Sequence, residues 1–132
     1  MVEFVIDVHN YNAYLVLLAA AVAGIWGLVL YFRKQEMVKP WRIGLIVVIA
    51  LGCLQGLLGL AMIAMGRYPG TGTGLYYLHY VYGGIVALGI PLTWLSFTTN
   101  GENKRRDLLI FSIAALVLVA AGVRALMTGP NV

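Results

Sequence analysis

His9 and His79 are the only imidazoles in a chain of 132 residues that otherwise offers little chemistry. Each is followed four positions later by a small residue, Ala13 and Gly83. Positions i and i+4 share a helix face, so each imidazole would project over a gap with room for a flat macrocycle. Neutral imidazole is the usual axial ligand of haem iron, and facing helices of a bundle are where such a cofactor sits. The pair is therefore expected to ligate a haem b. The plainer alternative is an interfacial histidine bonded to a carbonyl or a lipid headgroup. Two axial histidines would leave the iron no open position, which favours electron transfer over oxygen activation.

Three further polar residues bear on such a site. Arg124 lies about one turn before the expected end of its segment, where its side chain can snorkel to the headgroups or pair with a haem propionate. Arg67, in a neighbouring turn, can do likewise. Gln55 is the one strongly polar residue in the middle of an apolar run, either an interhelical hydrogen-bond partner or the border of a cofactor pocket. Glu3 and Asp7 precede His9 and can orient its second nitrogen or stay solvated. The stretch from Gly66 to Gly74, GRYPGTGTG, lacks the lysine and spacing of a phosphate-binding loop and reads as an outer turn.

The elements that must position these residues are helices in a membrane. Of the chain, 61% is hydrophobic and only 11% charged, far from the balance of a soluble domain. The net charge of +4 is small and segregated, which excludes nucleic acid as a partner and reads as loop charge. A hydrocarbon core of roughly 30 Å takes about 20 helical residues, and four segments qualify, at about 9–32, 43–65, 75–97 and 108–127. Backbone polar groups find no water in lipid, so these runs are helices rather than strands. Short connections make neighbours antiparallel, which predicts an all-α, up-down-up-down four-helix transmembrane bundle as a single domain.

Orientation follows from the cations. Arg33, Lys34, Lys39 and Arg42 cluster in the first connection and Lys104, Arg105 and Arg106 in the third, which puts both termini and the second connection on the outer side. Tyrosines 11, 14, 76, 77, 80 and 82 gather toward the outer ends, and Trp26, Tyr31, Trp41 and Trp94 toward the inner ends. The first ten residues carry two acids and no basic stretch, so a cleaved signal peptide is not expected. The destination is the cytoplasmic membrane, as a multi-pass protein.

Small residues mark the contacts between helices. Gly52 and Gly56 form a GxxxG pair with Gly59 nearby, and Ala20, Ala23, Gly24 and Gly27 line one face of the first helix. Pro91 frees the carbonyl of Ala87 and is expected to bend the third helix. Cys53 reads as a small packing residue. A faint repeat relates the two halves, each opening on a histidine followed by tyrosines.

The order of these elements resembles half of a haem A synthase. The matching pieces are His9, the run Gln55-Gly56-Leu57-Leu58-Gly59, and Leu78-His79, so the resemblance spans the first three segments. It implies a pair of haem-ligating histidines near the outer face and, in the family, a tandem pair of such halves. The chain departs from the family at Asp7-Val8-His9-Asn10, where an E-x-x-H-R motif supplies a glutamate implicated in oxidation chemistry. Its fourth helix also follows the histidine helices rather than preceding them.

Three functions follow as expectations. The first is a small b-type haem protein that carries electrons or handles haem beside a respiratory or photosynthetic complex. The second is a haem-free accessory subunit packing against other membrane subunits. The third is a minimal haem A synthase-like enzyme working as a homodimer, against which the missing glutamate argues.

Overall fold

The structure is a computed structural model that describes residues 2–67 and 77–128. Four helices make an all-α bundle: α1 (Val2–Phe32), α2 (Lys39–Ala64), α3 (Leu78–Phe97) and α4 (Lys104–Thr128). All four are long and apolar enough to cross a membrane. They are apolar around the whole circumference rather than along one stripe. Leu18, Leu57 and Leu60 are each more than 60% exposed and Leu95 is 79% exposed. Such surface has no place in water and suits lipid contact.

The helices are longer than the hydropathy alone suggests. α1 begins at Val2, about two turns ahead of the expected start at His9, because Ile6 turns inward and is buried. His9 is therefore well inside α1 rather than at its mouth. α2 begins at Lys39 with Pro40 in its first turn, where a missing N–H costs nothing. α4 begins at Lys104. There the Asn103 side chain caps the helix, its Oδ1 accepting from Arg106 N–H at 3.0 Å. The expected start of the third segment and most of the outer turn, residues 68–76 with Tyr76 among them, lie outside the described residues.

Two helix ends close by the same device. After α1, Gln35 N–H donates to Leu30 O (2.9 Å) and Lys34 N–H to Tyr31 O (3.0 Å), with Lys34 at φ 61°. After α2, Arg67 N–H donates to Met62 O (2.8 Å) and Gly66 N–H to Ile63 O (3.0 Å), with Gly66 at φ 79°. Both are left-handed C-caps that satisfy otherwise unpaired carbonyls. Glycine suits this conformation and lysine does not. Lys34→Gly should accordingly raise the unfolding free energy in detergent by about 1 kcal/mol, measured by denaturant titration.

The helix backbones form a ring, with α1 beside α2 and α4, and α3 beside the same two. Among the described residues the backbones of α1 and α3 do not approach, so only side chains bridge that diagonal. The expected small residues are the contact points. A Cβ on Gly52 would lie 2.7 Å from Val86 O, and one on Gly56 2.9 Å from the Ala87 side chain, so α2 and α3 nearly touch there. Ala20, Ala23, Gly24 and Gly27 are all buried. A Cβ on Gly27 would overlap the Ser112 hydroxyl of α4.

Two aromatic and sulfur positions differ from expectation. Trp41 is fully buried instead of sitting in an interfacial belt. Its indole N–H donates to Ala23 O at 2.8 Å across the space that Gly27 leaves clear, which satisfies its one polar atom inside the bundle. Cys53 is exposed rather than packed inside, with its Sγ 3.8 Å from Ala87 O. That is the carbonyl that Pro91 deprives of its usual partner, and a thiol is a weak donor for it. α3 continues through Pro91 as one helix.

At the end opposite the histidines, the basic residues act as caps. Arg105 donates to Tyr31 O at 3.0 Å and lies 4.6 Å over the Tyr31 ring, joining the start of α4 to the end of α1. Arg106 donates to Phe97 O at 3.2 Å. Cations at helix C-termini are favoured there. Asp107, only 4% exposed, accepts from Thr99 N–H at 3.0 Å and from the Thr99 hydroxyl at 2.9 Å. Asp107→Ala would leave those donors unpaired and is expected to cost about 2 kcal/mol in the same titration.

Candidate functional site

One cluster of polar side chains lies inside the bundle at the end where α1 and α3 begin. It grows from residues that the apolar helices would not tolerate unpaired. His9 and Asn12 come from α1, spaced to share one helix face. Gln55 comes from α2 and His79 from the first turn of α3. The two imidazoles face each other across the diagonal with ring centroids 6.3 Å apart and an interplanar angle of 62°. No stacking is made at that angle; the rings meet edge to face.

Each ring is held by the helix that follows its own. His79 Nδ1 lies 2.8 Å from Ala125 O, in the last turn of α4. A carbonyl only accepts, so Nδ1 carries the hydrogen and Nε2 keeps its lone pair. Ala125 O lies in the last described turn of α4, and the Thr128 hydroxyl also reaches it at 3.3 Å. His9 Nε2 lies 3.4 Å from Gln55 Nε2. Gln55 in turn accepts from Asn12, whose Nδ2 is 2.9 Å from Gln55 Oε1 and 3.0 Å from Leu51 O. The other nitrogen of His9, Nδ1, is buried and has no hydrogen-bond partner among the described residues.

Of the residues expected at a cofactor site, the structure brings together His9, His79 and Gln55. The small residue that clears space beside His9 is Gly59, where a Cβ would come 3.6 Å from the imidazole Cε1. Gly83 faces open space, since a Cβ there would meet nothing within 4 Å. Arg67 is engaged by Glu3 at 3.4 Å, an exposed pair linking the end of α2 to the start of α1. Glu3 thus partners Arg67 rather than His9. Arg124 is exposed and lies 5.7 Å over the ring of Tyr82, with Met127 Sδ 3.9 Å away. Tyr82 is one turn along α3 from His79, so this cation flanks the site without entering the histidine pair.

Asn12 is the site residue that sequence reasoning missed. It is 4% exposed, the most buried polar group of the cluster. Its signal was there in the spacing: Asn12 follows His9 by three positions and so shares its helix face. That signal counts only if α1 has already begun before His9.

The cluster offers two imidazoles as possible metal ligands. Among the described residues no group of three or more His, Cys, Asp or Glu gathers to make a protein-only metal cage. Two imidazoles suffice where a porphyrin supplies the remaining ligands. With metal–imidazole bonds of about 2.0 Å and about 1.1 Å from nitrogen to ring centre, two opposed axial rings have centroids about 6.2 Å apart. The observed spacing of 6.3 Å is compatible with that figure, and equally with an ordinary T-shaped contact of two rings. The chain matches no known family, no curated protein and no solved structure.

Proposed function

We propose that the protein is a multi-pass protein of the cytoplasmic membrane that binds one haem b between His9 and His79. The observation that carries this reading is the spacing of the two imidazoles, 6.3 Å between centroids on helices whose backbones stay apart. Haem b would supply a one-electron couple at its iron. The chain's own residues would do the rest. Ala125 O orients the His79 ring so that Nε2 is available to a metal. Arg124 and Arg67, at the same end of the bundle, are the cations nearest in depth to meet propionate carboxylates.

In this reading the bundle runs up-down-up-down, with both termini and the histidine pair toward the outer face. The support is the segregation of basic residues to the opposite end. The role is electron transfer or haem handling beside a larger membrane complex or a second copy, rather than haem A synthase-like oxidation. The chain carries no glutamate to match that family's acidic position.

The test is a dithionite-reduced minus oxidised spectrum of the purified protein in detergent, with pyridine haemochrome quantitation. A sharp α-band and about one haem per chain are expected. A colourless, folded protein that takes up no added haem would contradict the assignment and leave the role of a haem-free accessory subunit.

A further inference from the structure

The two histidines are not equivalent, and the chain of amides beside His9 says how they differ. Leu51 O can only accept, so the Asn12 atom 3.0 Å from it must be the amide nitrogen. That nitrogen lies 2.9 Å from Gln55, whose facing atom must then be the carbonyl oxygen Oε1. Gln55 is left to turn its NH2 group toward His9 Nε2, 3.4 Å away. A hydrogen on Nε2 would confront another donor, so the neutral ring carries its hydrogen on Nδ1 and accepts at Nε2. A backbone carbonyl in the middle of α2 thus sets the tautomer of a ring on α1, through two amides.

His79 has the same tautomer but a different engagement. Its Nδ1–H is tied to Ala125 O at 2.8 Å, and no partner occupies Nε2 among the described residues. His9 offers the same nitrogen, but Gln55 already holds its lone pair. Its Nδ1–H finds no acceptor among the described residues.

We propose that Gln55, oriented by Asn12, competes with iron for the Nε2 lone pair of His9, which makes His9 the displaceable ligand of the pair and His79 the permanent one. This rests on the haem reading and deepens it. With haem bound, return of His9 to Gln55 would leave its place at the metal free for an outside ligand. Gln55 is a positioning residue here, acting on His9 and not on the iron.

Two measurements on the full chain test this. In the haem-free protein labelled with 15N-histidine in micelles, both rings are expected to show a protonated Nδ1 and a bare Nε2. Gln55→Leu should leave His79 unchanged and shift His9 toward the Nε2–H form. Asn12→Leu, which frees Gln55 to turn over, should shift His9 part of the way. His9 already protonated at Nε2 in the wild type, or unmoved in both variants, overturns the relay. In the reduced, haem-loaded protein, carbon monoxide has to displace His9. Gln55→Leu removes the alternative partner of His9 and should weaken carbon monoxide binding by about two- to tenfold, the effect of one net hydrogen bond. His9→Ala should bind it more tightly than the wild type. Equal or tighter binding in Gln55→Leu overturns the competition. Failure of every protein to take up haem contradicts the haem assignment and the ligand order together, while the tautomer of His9 still decides whether Gln55 sets the ring.

Discussion

Replacing His79 by alanine is expected to abolish haem binding, whereas replacing His9 is expected to leave a weaker, five-coordinate, high-spin complex. The contrast follows from how each ring is held. His79 is fixed by a 2.8 Å bond to a backbone carbonyl, and its Nε2 meets no partner among the described residues. The Nε2 of His9 is shared with Gln55 at 3.4 Å. A ligand already fixed in its bound orientation loses little freedom on coordination, and one that must first leave a partner contributes less. Haem titration of both variants, read as absorbance of the oxidised and reduced forms, measures the difference. Affinity should fall at least a hundredfold in His79→Ala, on the scale of losing one metal ligand or its orienting shell. Equal losses in both variants would show that the rings act alike and that Ala125 O confers no advantage.

The second large effect concerns stability and lies at the crossing of α2 and α3. Gly52→Val should destabilise the bundle by about 3 kcal/mol or more. The first added carbon would sit 2.7 Å from Val86 O, and that atom belongs to a helix backbone that has no rotamer to escape into. Separating the helices instead would open the contact around Gly56 and Ala87, since a Cβ at Gly56 would come within 2.9 Å of that side chain. In lipid, close packing is itself the force that holds helices together, so widening one crossing removes favourable contacts along both. Gly59→Ala is the control. Its added carbon would meet His9 at an ordinary 3.6 Å, and unfolding in a mixed-micelle denaturant titration should change by less than 1 kcal/mol. Comparable losses at Gly52 and Gly59 would contradict the crossing described here.

The sequence made the scaffold legible because lipid imposes so few solutions. Apolar length dictates four helices, and small residues at Gly52, Gly56 and Gly27 are where backbones can meet. The histidine pair was legible for the same reason: two antiparallel turns bring the starts of α1 and α3 to one end. What escaped was short-range. Asn12 looks like part of a polar lead-in until α1 is known to begin at Val2, which places it inside the bundle. Trp41 carries the usual mark of an interfacial anchor, and only the clearance at Gly27 lets its N–H reach Ala23 O. Asp107 reads as one more loop charge next to three cations, yet it is the acceptor that closes the turn at Thr99. Arg67 and Arg124 have single-residue signals with several outcomes, and their partners, Glu3 and Tyr82, lie far off along the chain.

The central claim is that the two imidazoles jointly hold one iron, and low-temperature electron paramagnetic resonance of the oxidised, haem-loaded protein tests it most directly. Two imidazole ligands give a low-spin ferric signal, and ring planes far from parallel spread its g-values widely. With an interplanar angle of 62°, the wild type is predicted to show a strongly anisotropic low-spin spectrum. In His9→Ala it should convert to a high-spin spectrum. A high-spin signal in the wild type, or a low-spin signal that survives the loss of His9, would contradict the claim.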